Sequence, residues 1–151
     1  MALSLDGTFV AAVGPDGLVH RWDLATNTEL PPLAAAAAGG TGPANFTNLA
    51  FSMDGSRLAG SRDDGSISIW DLDDGCVSAS LKGHAASVTS LEFSPDGRRL
   101  VSSGLDHTVR VWDWEVNELL LVLPHGDIPY CARFSPDGLA LVCSGITPAA
   151  L

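Results

Sequence analysis

Two short motifs recur along the chain at nearly constant spacing, and this periodicity constrains the fold more than any other feature. Trp-Asp begins at positions 22, 70 and 112, so successive copies lie 48 and 42 residues apart. Ser-x-Asp-Gly begins at positions 4, 52, 94 and 135, with spacings of 48, 42 and 41 residues. Because the two series shift together, they belong to one repeating unit of about 40 residues.

Each unit is predicted to contain four short strands. Ser-Pro-Asp-Gly at 94–97 is typical of a hairpin turn, because Asp caps its own backbone and Gly accepts a positive φ. Apolar runs flank this turn, and the segment 108–113 alternates between apolar and polar residues. A repeated unit of four strands predicts a β-propeller blade. The expected fold class is therefore all-β, with four-stranded antiparallel blades.

The strand count predicts about three blades and an incomplete ring. Only three residues precede the first turn at Ser4, so the first blade is expected to lack its strand A. Thirteen strands result, whereas closed propellers typically need four to eight blades. The expected divisions are strands B, C and D of a first blade at 4–33, a loop at 34–44, full blades at 45–81 and 84–123, and strands A and B of a partial blade at 125–151.

Three hypotheses account for an incomplete ring. The chain is a fragment of a longer propeller protein, or it closes by association with a second copy, or it is an open arc capped by other proteins. The first hypothesis is preferred, because uncovered strand edges invite pairing or aggregation. The second would make the protein a homo-oligomer.

One repeat resembles the WD-repeat β-propeller family. The motifs that carry the resemblance are Gly83-His84, the turn at 94–97 and the segment 106–113, which ends in Trp-Asp. In that family each blade carries a buried hydrogen-bond network of His, Ser or Thr, Asp and Trp. The resemblance places this network at His84, Ser102, Asp106 and Trp112.

The other repeats depart from this pattern. Gly60 and Ala12 occupy the Ser position, Gly42 stands near the His position, and Cys143 and Thr147 replace Ser and Asp in the last repeat. We expect the blade with the complete network to be the stiffest and its neighbours to depend on apolar packing.

Several constellations resemble catalytic or metal sites but favour a structural interpretation. His84, Ser102 and Asp106 supply the residue types of a hydrolase triad, yet no Gly-x-Ser-x-Gly motif exposes a nucleophile. The acidic turn at 71–75 fails as a calcium loop because Lys82 stands where a Glu is needed. Histidines and cysteines lack metal-ligand spacing. The sequence thus predicts a protein that is not an enzyme, with no catalytic residues, no cofactor and no metal.

Charge limits the partners that the chain can bind. Lys and Arg total 8 against 18 Asp and Glu, which gives a net charge of −10. This balance argues against nucleic acid and anionic membranes, which both need a basic surface. No apolar stretch approaches the ~20 residues of a membrane-spanning helix. Three scattered cysteines favour a reducing, intracellular location, so we expect a cytoplasmic protein.

The family resemblance implies a non-catalytic scaffold that binds other proteins or peptides through the loops joining strands and blades. Candidate contact residues at such positions are Arg62, Asp63, Leu105 and His107. The loop at 34–43 is a further candidate. Trp114 is expected to cap a blade edge. A propeller enzyme is the competing class, but no convergent ligands support it.

Overall fold

The protein is built from β-strands throughout the residues that its computed structural model describes, which are 1–34 and 45–145. Fourteen strands and no helix are present in these two ranges. The all-β prediction is therefore confirmed. No helix in the described ranges has the length and hydropathy needed to cross a membrane. Most of the loop at 34–44 and the last six residues lie outside the described residues.

The strands form three four-stranded antiparallel sheets and one hairpin. Blade 1 contains β1 (Ala2–Leu3), β2 (Phe9–Val13), β3 (Val19–Asp23) and β4 (Thr28–Leu33). Blade 2 contains β5 (Phe46–Phe51), β6 (Arg57–Arg62), β7 (Ile67–Asp71) and β8 (Val77–Leu81). Blade 3 contains β9 (Val88–Phe93), β10 (Arg99–Gly104), β11 (Thr108–Asp113) and β12 (Glu118–Pro124). The terminal hairpin contains β13 (Pro129–Phe134) and β14 (Leu141–Gly145).

Strand β1 corrects the predicted tally of thirteen strands. Ala2 pairs with Ala11 and Leu3 pairs with Val10, so blade 1 does have a short strand A. The prediction omitted it because two residues are fewer than a strand usually has. The pairing holds because the turn at Ser4 returns the chain directly, with the Ser4 N–H donating to the Phe9 carbonyl at 2.9 Å.

The Ser-x-Asp-Gly turns repeat one hydrogen-bond arrangement. In blade 3 the Arg99 N–H donates to Ser94 Oγ at 2.9 Å, and the Ser94 hydroxyl donates to Asp96 Oδ1 at 2.6 Å. Gly97 closes the turn at φ +72°, a conformation that side chains with a Cβ rarely adopt. The turns at Ser4, Ser52 and Ser135 have the same contacts.

The apolar core lies between sheets rather than within them. Successive innermost strands β1, β5, β9 and β13 contact one another, so the sheets fan out from a common edge. A first cluster joins blades 1 and 2, a second joins blades 2 and 3, and a third joins blade 3 to the terminal hairpin. Each blade thus buries one face against the next, which is how propeller blades pack.

The described strands form three blades and half of a fourth, so the sheets follow an open arc and not a closed ring. Backbone hydrogen bonds of the strand ladders stay within each sheet, and packing and side-chain hydrogen bonds join the sheets. Thr47 Oγ1 donates to the Val88 carbonyl at 3.1 Å, and Thr89 Oγ1 donates to the Pro129 carbonyl at 2.5 Å. The same threonine position therefore links β5 to β9 and β9 to β13.

Candidate functional site

The four residues expected to form a network meet at one end of blade 3. Ser102 lies on β10 and Trp112 on β11. His84 lies in the segment that leads into β9, and Asp106 lies in the turn between β10 and β11. Two strands, one turn and the segment before β9 thus place side chains at one point.

The network is a continuous chain of hydrogen bonds. The Trp112 indole N–H donates to Ser102 Oγ at 2.8 Å, and Ser102 Oγ lies 2.7 Å from His84 Nε2. His84 Nδ1 lies 2.9 and 3.0 Å from the two carboxylate oxygens of Asp106. An indole N–H can only donate, so the Ser102 hydroxyl accepts from Trp112 and donates its proton to His84 Nε2. His84 then donates from Nδ1 to Asp106.

This order of donors requires a neutral His84. Burial lowers the pKa of His84 below its usual 6.5, although the neighbouring Asp106 carboxylate opposes this effect. Geometry supports the same direction, because a proton on Nε2 would leave the buried Ser102 hydroxyl without an acceptor among its two ring neighbours. The imidazole is therefore neutral at pH 7.

Asp106 is held ionised by donors from three directions. Partial burial alone would raise its pKa, but the Ala85 N–H, the Thr108 side chain and His84 outweigh burial and lower the pKa to about 2. The Ala85 N–H donates at 3.0 Å and the Thr108 hydroxyl at 2.8 Å. Arg110 adds an ion pair at 3.4 Å. We propose that this carboxylate fixes the turn at 105–107 to the segment before β9.

Sequence reasoning missed Thr108 and Arg110 as members of the site. Arg110 lies over the Trp112 ring, with 6.0 Å between its Cζ and the ring centroid. This distance is typical of a cation–π contact. The alternation along β11 puts both side chains on the face opposite Val109 and Val111. The sequence did offer a signal for both residues: a polar side chain, Thr108, stands two positions after the turn Asp, and a cation, Arg110, stands two positions further on.

Blade 2 buries its strand C Trp without a serine hydroxyl. A Cβ on Gly60 would lie 2.8 Å from the Trp70 ring, so the indole occupies the space that a serine would need. The Trp70 N–H donates instead to the Ala34 carbonyl of the preceding segment, at 2.7 Å. Phe46 packs against the same indole with 5.4 Å between ring centroids. A backbone acceptor and an aromatic contact thus take the place of the serine hydroxyl in this blade.

Blade 1 carries an exposed version of the His–Asp contact. His20 bridges Asp16 and Glu29, at 3.1 and 2.9 Å, and stacks on Trp22. Trp22 is only partly buried, and no described hydrogen bond reaches a serine because Ala12 stands at that position. In the terminal hairpin Cys143 replaces the serine, whereas Thr147 and Gly42 lie outside the described residues.

Two of the four candidate contact residues share one repeat position. Asp63 and Leu105 each follow the last residue of strand B in their blades, and both are exposed. His107 is exposed as well, and it holds a positive φ of 61° in the same turn as Leu105. Asp63 is held by Asn45, whose side-chain amide donates at 3.0 Å. These three residues lie at the end of the blades where strands B and C connect.

Arg62 differs from this expectation. Only 9% of its surface is exposed, and its guanidinium lies 5.4 Å from the centre of the Phe46 ring. The sequence analysis placed Arg62 in the loop between strands B and C, whereas the structure ends β6 at Arg62 and buries its side chain. The surface at this end is therefore built from Asp63, Leu105 and His107.

The buried network offers no route to hydrolysis in this conformation. Ser102 is 0% exposed and its hydroxyl is already engaged with His84 and Trp112. A nucleophile needs access to its substrate, so the enclosed Ser102 hydroxyl has the surroundings of a structural group. Within the described ranges no group of three or more His, Cys, Asp or Glu is arranged to hold a metal ion.

Trp114 lies between blades 2 and 3. Its indole N–H donates to the Gly97 carbonyl at 2.8 Å, and its ring meets Phe93 edge-on at 6.1 Å. Arg57 of blade 2 lies 5.8 Å from the centre of the same ring. The side chain is therefore buried between blades.

Comparison with known families decides the identity of the repeat. The WD domain, G-beta repeat family matches residues 39–71 and 75–113, and the second match contains the complete network. These two segments of the chain are WD repeats by this match. No curated protein sequence matches the chain.

The WD-repeat fold is also found in solved structures. A chain of the crystal structure of the mitotic checkpoint complex superposes with a TM-score of 0.82 at 24% sequence identity. The superposition covers 95% of this protein and 43% of that chain. At this identity the likeness shows the fold alone, and the protein spans less than half the length of its structural neighbour.

We expect the networked Trp to matter more for stability than its counterpart in blade 1. Trp112→Ala should lower the free energy of unfolding by about 3–5 kcal/mol, because it empties a buried site and removes a donor to Ser102. Asp106→Ala should also destabilise more than Trp22→Ala, since Trp22 is partly exposed. Urea unfolding of the three variants at pH 7 measures the order. A larger loss for Trp22→Ala would show that blade 3 is not the stiffest blade.

Restoring the family's serine in blade 2 should weaken that blade. Gly60→Ser places a side chain within 2.8 Å of the Trp70 ring, and overpacking of this kind typically costs about 1–3 kcal/mol. The same urea titration measures the loss, with the reciprocal Ser102→Gly variant as its partner. A gain in stability would mean that the Trp70 indole can rotate to meet the new hydroxyl.

Stability should fall as the solution is acidified through two ranges. The unfolded state takes up a proton at His84 below pH 6.5 and the folded state does not, so this stability is present above pH 6.5 and lost below it. The pKa of Asp106 is lowered from 3.8 to about 2, which stabilises the folded state by about 2 kcal/mol. This contribution is lost as the pH falls between those two values. The measurement compares wild type with His84→Gln from pH 8 to 5, because other titrating groups cancel in the difference. The stability gap should narrow below pH 6.5, and a widening gap would contradict a neutral His84.

Proposed function

We propose that the protein is a non-catalytic scaffold that binds other proteins or peptides. WD-repeat propellers typically serve this role, and the structural neighbour is a chain of a multiprotein complex. The buried state of Ser102 supports the absence of catalysis, because the one triad-like group in the described chain is enclosed. No cofactor or metal is part of the proposal.

The observation that carries the proposal is an exposed apolar side chain on a rigid turn. Leu105 is 43% exposed, yet its backbone N–H donates to the Ser87 carbonyl at 2.8 Å. The next residue, Asp106, is held by the network on its other side. A preorganised turn loses little conformational entropy on binding, so its apolar side chain is well suited to anchor a partner.

Charge around this turn favours basic partner segments. Asp63 lies at the equivalent position in blade 2, and the whole chain carries a net charge of −10. Complementary charge mainly speeds association and selects between partners. The same charge disfavours nucleic acid and anionic membrane surfaces as partners.

Two further parts of the proposal concern context. The three cysteines are free in the structure, which supports a reducing compartment such as the cytoplasm. Closed propellers have four to eight blades, so a closed ring would need strands beyond the described ones. The proposal is that a longer propeller supplies them, and a second copy of the chain is the alternative source.

Selection from a random peptide library against the intact protein tests the function. Enriched peptides should carry net positive charge, and their affinity should fall with added salt. Leu105→Ser should weaken their binding at least tenfold, because burial of a leucine side chain contributes about 1.5–3 kcal/mol.

Val116→Ser is the matched control, since Val116 is an exposed apolar residue at the opposite end of blade 3. If Val116→Ser weakens peptide binding and Leu105→Ser does not, the binding surface lies at the end of blade 3 that contains Val116. Failure to enrich any peptide would overturn the scaffold function itself.

A further inference from the structure

Blade 1 carries a buried cation at a position that is apolar in the other two blades. Arg21 directly precedes the Trp of strand C, where blades 2 and 3 have Ile69 and Val111. Arg21 is only 6% exposed and reaches towards blade 2. Burial of a guanidinium at a position that an aliphatic side chain can fill is costly unless the charge meets a counter-charge.

Arg21 makes no ion pair with any carboxylate in the part of the chain that the structure describes. Its Nε and Nη2 donate to the Pro31 carbonyl at 3.4 and 3.1 Å, and its Nη1 donates to the Leu72 carbonyl at 3.3 Å. Three of the five N–H groups are thus engaged by neutral acceptors, so two remain. The other residues of the sequence, 35–44 and 146–151, contain no Asp or Glu. The positive charge is therefore hydrogen-bonded but not neutralised.

The guanidinium lines a groove of about 330 Å³ between blades 1 and 2. Strand β4 supplies one wall through residues 30–33, and the turn at 72–75 of blade 2 supplies the other. A Cβ on Gly75 would lie 4.0 Å from Arg21 Nη2 and 3.6 Å from the Leu33 side chain. A side chain that enters the groove beside Gly75 is therefore within contact distance of the guanidinium.

An Asn side chain crosses the equivalent boundary between blades 2 and 3. Asn117 and Gly75 each stand five positions after the Trp of strand C, and both have a positive φ. The Asn117 side-chain oxygen accepts from the Ser80 N–H at 3.2 Å. Between blades 1 and 2 this acceptor is missing, because Gly75 has no side chain. The donor is missing as well, because Pro31 and Pro32 replace Ser80 in the register of strand D and lack an N–H.

The comparison of the two boundaries indicates which group fits the groove. Asn117 shows that a side-chain oxygen can be accommodated at this position. Arg21 adds a positive charge and two N–H donors there, so a carboxylate is a better acceptor than an amide. Asp73 and Asp74 are exposed along the same groove. They favour a ligand with a basic group next to its carboxylate and disfavour the second charge of a phosphate.

We propose that the groove between blades 1 and 2 binds a partner protein through an acidic side chain whose carboxylate pairs with Arg21. The partner segment carries Lys or Arg next to this acidic residue, where it meets Asp73 and Asp74. The inference rests on the proposed scaffold function and adds a second contact surface. This surface lies beside the turn between strands C and D, whereas Leu105 lies in a turn between strands B and C.

Peptides with a fixed central Glu test the proposal with the intact protein. Each peptide has seven residues with varied flanks, and each has matched forms with Gln or phosphoserine at the centre. Fluorescence anisotropy measures the affinities. The best binders should carry Lys or Arg beside the Glu, and replacement of this Glu by Gln should weaken binding at least tenfold.

Two variants of the protein assign the binding to the groove. Arg21→Ile removes the buried charge, and Gly75→Asn places the protein's own acceptor where Asn117 has one in blade 3. Each variant should remove the preference for Glu over Gln. Arg98→Ile is the matched control, because Arg98 is an exposed cation of blade 3 and its loss changes the net charge equally. It should change the affinity less than twofold.

Urea unfolding establishes that both variants remain folded. Arg21→Ile should unfold at no lower urea concentration than wild type, because Ile69 and Val111 fill the same position. Gly75→Asn should also fold, because Asn27 and Asn117 hold a φ of 55° at the same position of the turn.

Four outcomes would contradict the inference. Equal affinity for Glu and Gln peptides would overturn it, and phosphoserine peptides that bind more tightly and depend on Arg21 would assign the groove to phosphate. A large loss of stability in Arg21→Ile, together with an unchanged Glu preference in Gly75→Asn, would limit Arg21 to holding the blades together. If no Glu peptide binds while library peptides still respond to Leu105→Ser, this inference falls and the scaffold function stands.

Discussion

The Ser102 hydroxyl is the contact on which the organisation of blade 3 depends. It accepts the Trp112 indole N–H and donates to His84, which in turn holds Asp106. A single small group thereby joins strands B and C to the segment that enters the blade. Because each member has one available role, the arrangement tolerates a single protonation state and a single tautomer. The turn that exposes Leu105 inherits its rigidity from this buried chain.

The carboxylates of the Ser-x-Asp-Gly turns accept hydrogen bonds mainly from groups of their own turns. The serine hydroxyl of each Ser-x-Asp-Gly turn lowers the pKa of its Asp, at positions 6, 54, 96 and 137. Asp106 has the same local role with more donors. These groups are therefore ionised over the whole physiological range, and much of the negative charge of the chain comes from the way the hairpins are closed.

Repeated local chemistry is what the sequence could predict. The turns and the strand order within a blade follow from side chains that act within a single repeat, whereas the family resemblance placed the four residues of the network. Departures from the repeat were harder to interpret, because Gly60 marks a missing hydroxyl without showing that Trp70 fills the space and bonds to Ala34. Arg62 was misplaced for a related reason, since its side chain packs on Phe46 of the paired strand β5. The two-residue β1 is stable only as the end of a closed turn, which no strand pattern reveals.

Because the ladder hydrogen bonds stop at each sheet boundary, the arc behaves as a row of units coupled to their nearest neighbours. Thr47 and Thr89 reach across two of these boundaries, and apolar side chains together with further side-chain hydrogen bonds supply the remaining coupling. Loss of order is then expected to start at the outermost units and to travel inward. Hydrogen exchange would be fastest in β13 and β14, which among the described residues pair only with each other and pack against one blade. Blades 2 and 3 each pack against a neighbour on both faces, so they would open last.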